Sequence, residues 1–590
     1  MEEMIRQLAE ELGRKAQYVE NVVRLLDEGN TIPFIARYRK ELHGAMDDTA
    51  LRTLADRLQY LRNLAQRREE IRRGIGEKLT DELDAAITAA KTLSELEDLY
   101  RPYKPKRRTR ATVAKEKGLE PLAQQLFSQA RDLPAPEELA QVYIDPEKGV
   151  ETVADALAGA SDIIAEAISD DAAIRKALRG LMQRQAVLRA QAVKGKEEET
   201  SPYQTYYDFT QPVSKLQGHQ VLAVNRGERE GFLKVGIELD REQALICVRR
   251  AVLVPGGGAA EFVRAAAEDA YDRLIAPSME RELRSALTDE ANEGAIRNFA
   301  LNLRPLLMQP PVRGRVTMGL DPGYSHGCKV AVVDATGKVL DTAVVYPTFS
   351  KAKRDEALNT LEKLIRKHGV VHIAIGNGTA SRETEAAVCE LLGRVPGVSY
   401  MIVSEAGASV YSASPLAAEE FPQYDVNLRS AVSIARRLQD PLAELVKIDP
   451  KAIGVGQYQH DVPEKRLDES LSGVVEDCVN AVGVDLNTAS PSLLRRVSGL
   501  NATTAKNIVV YREENGAFTA RKQVLKVPKL GQKAYEQAAG FLRVPESRQV
   551  LDRTGVHPES YGAAEKLLEL CGFTLADVAA GTIAELPKRL

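Results

Sequence analysis

The sequence predicts a multidomain, mainly α-helical protein with one α/β domain near the centre of its 590 residues. Three observations support this fold class. Leucines recur at spacings of three and four between residues 51 and 64, as on one face of an amphipathic helix. Strand and helix patterns alternate from residue 315 to about 440, as in an α/β domain. Beyond about residue 445, short helical segments are separated by glycine-containing turns.

Composition restricts the class of protein further. The net charge is -4 with 28% charged residues, so a histone-like protein is excluded and any basic surface must be local. The five cysteines are widely spaced and form no CxxC pair, which supports neither a zinc site nor a disulfide framework. The first residues, MEEMIRQLAEELG, are acidic and unlike a signal peptide, and no run of about 18 apolar residues occurs. We therefore expect a soluble, cytoplasmic protein that contacts no membrane.

The first 200 residues predict helices, interrupted by the basic segment RPYKPKRRTR at residues 101–110. This segment contains two prolines and six basic residues, and Tyr100 and Tyr103 are available to stack on bases. It is a candidate clamp for a nucleic-acid backbone, and a solvent-exposed basic linker is the alternative interpretation. The residues predicted to bind here are Arg101, Lys104, Arg107 and Arg108.

Residues 201–314 predict mixed structure. The stretch HQVLAVNRGEREGFLKVGIEL has short apolar runs on either side of a charged turn, which predicts a β-hairpin. Helices are expected to resume from about Ala259 to Leu307. The proline-containing stretch MQPPVRGR then indicates a domain boundary.

The clearest element order lies between residues 315 and about 440. RVTMGL, KVAVVD and KVLDTAVVY predict three strands in succession. A helix, a strand (VVHIAI), a helix (SRETEAAVCELLG), a strand (SYMIVS) and a last helix (LRSAVSIARRL) follow. The resulting order, βββαβαβα, is that of an RNase H-like fold.

Two acids in this domain are candidate metal ligands. Asp321 ends the first strand and Glu405 follows the last, where RNase H-like nucleases place acids that hold two divalent metals. The last helix normally supplies a third acid, but here it begins with Asn427, Arg429 and Ser430. Because a cation would repel Mg²⁺, we predict that the two acids are vestigial and that no metal is bound. Asp425 remains an alternative third acid, and a turn-forming role in Asp-Pro-Gly is the alternative for Asp321.

An internal repeat predicts a second site. LLRRVSGLNATTAKNIV matches QVLKVPKLGQKAYEQAA at a shift of 30 residues, and each copy reads as a helix-hairpin-helix. Small turn residues let the chain approach a nucleic-acid backbone, and the unpaired N–H groups of the following helix can bind a phosphate. Such contacts read no bases.

The charge of this region supports the same interpretation. Arg495 to Arg553 contains twelve lysines and arginines against five acids, a net charge of +7 in a chain that is negative overall. The alternative is an ordinary helical hairpin with a basic, solvated face. The residues predicted to bind are Gly499, Leu500, Asn501, Thr504 and Lys506 in the first copy, and Lys529, Leu530, Gly531 and Lys533 in the second.

Several longer motifs together resemble one family, the bacterial transcription accessory protein Tex. They include NTIPFIARYRKE, LEDLYRPYKPKRRTRATVAKEKGLEPLA, LAVNRGEREGFLKV, GLDPGYSHGCKVAVVD, IGNGTASRETE, IGVGQYQHDV, AAGFLRV and DRTGVHPESY, in order from residue 30 to about 561. The resemblance implies a helix-turn-helix element in the N-terminal region, a YqgF-type RNase H-like domain and tandem helix-hairpin-helix motifs. In the YqgF pattern, Asp321 and Glu405 match the first two acids, and Arg429 stands at the third position.

The resemblance also implies partners. Members of this family act around transcription, so RNA or DNA and RNA polymerase or other transcription or translation machinery are the expected partners. The family is similar in architecture to the eukaryotic elongation factor and histone chaperone that travels with RNA polymerase. Its C-terminal OB-fold RNA-binding domain is not expected in this sequence, which ends at TIAELPKRL.

Five regions are therefore predicted: helical with a helix-turn-helix-like element (1–200), mixed (201–314), YqgF-type (315–442), tandem helix-hairpin-helix (443–550) and a second small helical domain (551–590). The predicted function is non-enzymatic binding of RNA or DNA backbones, largely without sequence specificity. One alternative is a structure-selective nuclease that uses Asp321, Glu405 and Mg²⁺, and another is a pure protein-interaction scaffold. No P-loop motif occurs, and no cofactor or small-molecule substrate is expected.

Overall fold

A computed structural model describes residues 1–105 and 108–589 of the chain. The chain divides into two compact units. One unit comprises Met1–Ala55 and the chain from Ile296 onward, and the other comprises Asp56–Ala295. In the part of the chain that the structure describes, no helix is both long enough and apolar enough to cross a membrane.

The unit formed by Asp56–Ala295 is mainly helical with one small sheet. Strands β1 (Val187–Ala192), β2 (Asp208–Pro212) and β3 (Leu233–Glu238) form an antiparallel sheet in the order β2-β1-β3. A π-helical turn, Ala270–Ile275, precedes the last long helix. The α-helices that lie wholly or partly in this unit are Asp48–Ile75, Asp81–Ala89, Leu93–Tyr100, Arg110–Glu116, Glu120–Ser128, Pro136–Gln141, Val153–Asp170, Ala172–Gln185, Gly218–Arg229, Arg241–Val252, Ala260–Asp269 and Ala276–Leu307.

The predicted β-hairpin in this unit is wrong. Its first half, HQVLAVNRGER, lies in the helix Gly218–Arg229, and only its second half forms a strand, β3. At the start of this helix, Gln220 Oε1 accepts a 2.9 Å hydrogen bond from Gln217 N. Four consecutive apolar residues of this helix are buried, and so short an apolar run does not distinguish a buried helix from a strand by periodicity. The partner of β3 is β1, which lies far upstream.

The α/β domain has the predicted element order. Strands β4 (Thr317–Asp321), β5 (Cys328–Val333), β6 (Val339–Val345), β7 (His372–Gly376) and β8 (Ser399–Val403) form one sheet in the order β6-β5-β4-β7-β8. The first three strands are antiparallel, and β4, β7 and β8 are parallel. The helices of this domain are Lys351–His368, Ser381–Leu392, Ala408–Ser412, Pro415–Glu420 and Val426–Gln439, of which the two short ones were not predicted.

The last helix of this domain packs closely on the sheet. A Cβ placed on Gly319 of β4 would lie 2.2 Å from the carbonyl oxygen of Ala431. Only a glycine allows the helix Val426–Gln439 to approach the strand this closely. This packing positions the start of the helix beside the carboxyl end of β4, where Asp321 lies.

Helices make up most of the rest of the unit that comprises Met1–Ala55 and the chain from Ile296 onward. They are Glu2–Leu12, Ala16–Asp27, Ile32–Tyr38, Lys40–His43, Pro441–Leu445, Glu464–Val482, Pro491–Leu494, Ala502–Asn515, Gln532–Ala539, Tyr561–Leu570 and Leu575–Ala580. Two short strands, β9 (Val484–Asp485) and β10 (Leu542–Arg543), pair in parallel on either side of the repeat. The predicted tandem hairpins therefore form one folded region.

Candidate nucleic-acid interface

The two copies of the repeat form hairpins with equivalent turns. In the first, Gly499 and Leu500 connect Pro491–Leu494 to the helix Ala502–Asn515. In the second, Lys529 and Leu530 connect a 3₁₀ turn to the helix Gln532–Ala539. Gly499 and Lys529 are equivalent and both left-handed, with φ of 77° and 63°. Both leucines are buried, so they could reach a ligand only through their backbone atoms.

The helix of the first hairpin is capped by its own side chains. Asn501 Oδ1 accepts hydrogen bonds of 3.0 Å from the backbone N–H groups of Thr503 and Thr504. Thr504 Oγ1 in turn accepts from Asn501 N at 2.8 Å. Two N–H groups that a phosphate could have used are therefore already bonded.

The helix of the second hairpin has no such cap. Gly531 stands at its N-cap position, and no side chain accepts a hydrogen bond from its first turn within the described residues. Apart from Gly531 itself and its two chain neighbours, no residue has an atom within 4 Å of the position that a Cβ on Gly531 would occupy. Lys529, Gly531 and Gln532 are all exposed. The second hairpin therefore presents open N–H donors and a lysine to solvent.

The turn of the first hairpin is packed inside its unit. A Cβ on Gly499 would lie 2.5 Å from Cβ of Gln537, and Gln537 Oε1 accepts a 3.0 Å hydrogen bond from Thr31 N. Lys533 Nζ donates to the carbonyl of Glu28 at 2.5 Å. Of the predicted binding lysines, Lys533 is thus already engaged, whereas Lys506 and Lys529 are exposed.

Burial reduces the basic surface of this region. Arg521 is 1% exposed and donates hydrogen bonds to the backbone oxygens of Leu542 and Val556 and to the Tyr561 hydroxyl. Its charge supports the fold rather than a ligand. The exposed cations of the region are Arg495, Lys506, Lys522, Lys526, Lys529, Lys533, Arg548 and Arg553.

The basic segment near residue 101 lies in the other unit, and acids compensate part of its charge. Arg101 pairs with Asp170 at 2.9 Å, Lys104 with Glu97 at 3.7 Å and Arg108 with Glu116 at 3.0 Å. Arg107 and its neighbour Lys106 lie outside the described residues. The segment therefore has less uncompensated charge than its sequence indicates.

The two acids of the α/β domain lie close enough to interact. Burial raises the pKa of Asp321, although the Ser430 hydroxyl and Lys329 oppose the rise. Burial also raises the pKa of Glu405, and the charge of Asp321 adds to that rise. Glu405 lies against the end of β7, where a Cβ on Gly378 would be 1.7 Å from Glu405 Oε1. Glu405 Oε2 has no hydrogen-bond partner in the described part of the chain.

The residue that the last helix presents to Asp321 is Ser430. The guanidinium of Arg429 instead donates to the carbonyls of Phe421 at 3.1 Å and Ser412 at 3.3 Å. Asp425 caps the helix by accepting from Leu428 N at 2.8 Å. The described residues contain no group of three or more His, Cys, Asp or Glu that could hold a metal.

The cation that faces Glu405 is Arg437, which sequence reasoning missed. It is 2% exposed and donates to the carbonyls of Ser404 and Ala406 at 2.8 Å each. No local motif marks this arginine, since its role arises only when the helix packs on the sheet. Two carboxylates, a serine and a buried guanidinium do not fit a two-metal centre.

Comparisons with known proteins identify the family. Family models match the chain as Tex-like protein N-terminal domain (residues 2–76), Tex central region-like (132–299) and Tex protein YqgF-like domain (315–439). A helix-hairpin-helix motif matches residues 479–543, and an HHH domain matches 549–588. The transcriptional accessory protein Tex of Neisseria gonorrhoeae is 49% identical over 584 residues, covering 97% of this chain and 76% of that protein. The chain belongs to the Tex family.

Two other relatives come from a second bacterium and from human. The Bacillus subtilis protein YdcI is 50% identical over 592 residues, covering 99% of this chain and 81% of that protein. The human S1 RNA-binding domain-containing protein 1 is 38% identical over 646 residues, covering 98% of this chain and 64% of that protein. The expected Tex resemblance and mainly helical fold class are confirmed. The five predicted region boundaries, the helix-turn-helix element and the individual binding residues stay predictions.

Proposed function

We propose that this Tex-family chain is a transcription accessory factor that binds RNA or DNA through backbone phosphates at its second hairpin. Lys529 carries this proposal. A left-handed backbone costs a residue other than glycine about 1–2 kcal/mol, and the first hairpin uses Gly499 at the equivalent position. A lysine in this conformation, exposed beside an uncapped helix start, supports a role that requires its charge.

The chemistry of the second hairpin suits phosphate rather than bases. The open N–H groups at Gly531 lie at the positive end of the helix dipole, and Lys529 adds a full charge. Neither group distinguishes one base from another. Binding of this kind is largely independent of sequence.

We propose that the YqgF-like domain does not hydrolyse nucleic acid. Its last helix places Ser430 beside Asp321 where a nuclease would need a third acid, and Arg437 faces Glu405. Incubation with branched DNA or RNA in Mg²⁺ or Mn²⁺ tests this point. Cleavage by the wild type that is lost in Asp321→Asn would show instead that the domain is a metal-dependent nuclease.

Filter binding over a range of salt concentrations tests the binding itself. The logarithm of the affinity should fall linearly with the logarithm of salt, by about 0.9 per phosphate contacted on duplex DNA and about 0.7 on single strands. Single-stranded RNA, single-stranded DNA and duplex are compared at equal salt. A flat response for all three would refute the proposal and favour a protein-interaction scaffold.

The name of the Neisseria gonorrhoeae relative, transcriptional accessory protein Tex, supports placing this activity beside the transcription machinery. RNA polymerase is the partner that we propose to test first. Purified polymerase should retain the chain on an affinity column in the presence of nuclease, which removes bridging nucleic acid. Loss of retention after nuclease treatment would mean that the two proteins are held together only by nucleic acid that both bind.

A further inference from the structure

A groove lies beside the first hairpin, against the helix Glu464–Val482. It consists of two hollows of about 450 and 550 Å³ that share Ser472, Arg495 and Arg496 in their linings. We call the surface around these three residues the arginine groove. Each hollow has the volume of a small-ligand site, about 300–1,000 Å³. One of them also reaches Ala502, the first residue of the hairpin helix.

The two arginines of this groove form no close ion pair with described residues, although Glu476, Asp468 and Asp449 attract the Arg496 guanidinium. Neither Arg495 nor Arg496 forms a salt bridge with any described residue, and the buried Nε of Arg496 has no hydrogen-bond partner among them. Burial and the neighbouring charge of Arg495 lower the pKa of the Arg496 guanidinium. A buried N–H donor without a hydrogen-bond partner is costly unless a ligand accepts its hydrogen bond.

The backbone that carries the pair is fixed in place. Asn480 Nδ2 donates to the carbonyl of Arg496 at 3.0 Å, and Asn480 Oδ1 accepts from Ser498 N at 2.9 Å. The arginines are therefore presented by a rigid turn and not by a loose loop. Such positioning reduces the entropy lost when a ligand is held.

The acids of the groove already have cations. Arg52 pairs with Glu476 at 3.3 Å, while Lys451 lies 3.8 Å from Asp449 and 3.9 Å from Asp468. The groove thus combines two arginines without salt bridges and carboxylates that can still accept hydrogen bonds. A polyanion without hydrogen-bond donors would be attracted by the arginines of the groove and repelled by its carboxylates. A ligand that brings an anion together with O–H or N–H donors satisfies both sides.

We propose that the arginine groove binds one nucleotide of a nucleic-acid strand, with its phosphate on Arg495 and Arg496 and its sugar or base donors on Asp449 and Asp468. This assignment rests on the proposed function, because it takes the strand held by the second hairpin to continue past the first. A free nucleotide carries the same chemistry, so the experiment separates the two sources.

Calorimetric titration with AMP, adenosine and inorganic phosphate at low salt is the first test. AMP should bind more tightly than either of the other two compounds. Arg496→Gln should weaken AMP binding by about ten- to a hundredfold, the size of a lost charge-assisted hydrogen bond. Arg548→Gln removes an exposed arginine outside the groove lining and is the matched control, with unchanged AMP binding expected.

Thermal unfolding without ligand separates binding from a structural role. The midpoint of Arg496→Gln should equal or exceed that of the wild type, since the substitution removes a guanidinium whose buried Nε has no hydrogen-bond partner among the described residues. A lower midpoint together with unchanged AMP binding would overturn the proposal. Equal binding of AMP and inorganic phosphate would also overturn it, because the carboxylates would then contribute nothing.

Competition identifies the source of the nucleotide. A single-stranded oligonucleotide should displace AMP, and the Arg495→Gln, Arg496→Gln double variant should retain less oligonucleotide on filters. Failure of the oligonucleotide to displace AMP would overturn the assignment to a strand. If the double variant retained oligonucleotide normally while a Lys529 variant did not, this inference would fail and the proposed function would stand.

Discussion

Substitution of Lys529 by glycine should change stability and binding in opposite directions. Lys529 has a φ of 63°, which costs about 1–2 kcal/mol for a residue other than glycine. Glycine removes that cost but loses about 0.5–1 kcal/mol more backbone entropy on folding. We therefore expect Lys529→Gly to raise the free energy of unfolding by about 0–1.5 kcal/mol. No side-chain contact of Lys529 within the described residues opposes this gain.

The same change removes one cation from the proposed interface. A charge pair 4 Å apart in water is worth about 1 kcal/mol, which corresponds to about a fivefold loss of affinity. The slope of log affinity against log salt should also decrease by about one unit or slightly less. A residue that served only the fold would not change this slope.

Urea unfolding and salt-dependent filter binding on the same preparation measure both effects. Lys529→Arg keeps the charge and the left-handed backbone, so it should resemble the wild type in both assays. Destabilisation by more than about 1 kcal/mol in Lys529→Gly would contradict the strain argument. An unchanged salt slope would contradict the role of Lys529 in binding.

Three further predictions concern the same unit. Gly531→Asn should cap the second helix as Asn501 caps the first, so filter binding should weaken while the urea midpoint stays the same or rises slightly; equal binding would mean that the open N–H groups are not used. Gly319→Ala places a Cβ 2.2 Å from the Ala431 carbonyl and should destabilise the YqgF-like domain by about 1–3 kcal/mol or more, measured by calorimetry, and wild-type stability would disprove the close packing. Burial, followed by the charge of Asp477, raises the pKa of Asp48 to about 6 from 3.8. Wild-type stability should therefore fall as pH rises from about 4 to 6, so Asp48→Asn should be the more stable protein above pH 6. The two melting temperatures should converge below about pH 4, and a constant difference at all pH values would argue against the raised pKa.

Local patterns were sufficient for most of the element order. The five strands and three longer helices of the YqgF-like domain follow from apolar alternation and helical spacing, which depend on neighbouring residues. HQVLAVNRGER shows where this reasoning fails, because a short buried run fits a helix and a strand equally well. In the structure this stretch lies in the helix Gly218–Arg229, and β3 pairs with β1 rather than with the segment that precedes it in the chain.

For the candidate nucleic-acid interface and the acids of the YqgF-like domain, too, some features follow from local sequence and others only from tertiary contacts. The sequence alone determined the two hairpin turns, Asp321 at its strand end and the positive charge of the region, because each is a property of a short stretch. Only the tertiary structure decided which groups are available to a ligand. Gln537 and Thr31 enclose the first turn, Ser430 rather than Arg429 meets Asp321, and Arg496 is left without a hydrogen-bond partner for its buried Nε among the described residues. These outcomes depend on contacts between residues far apart in the chain, which no local pattern encodes.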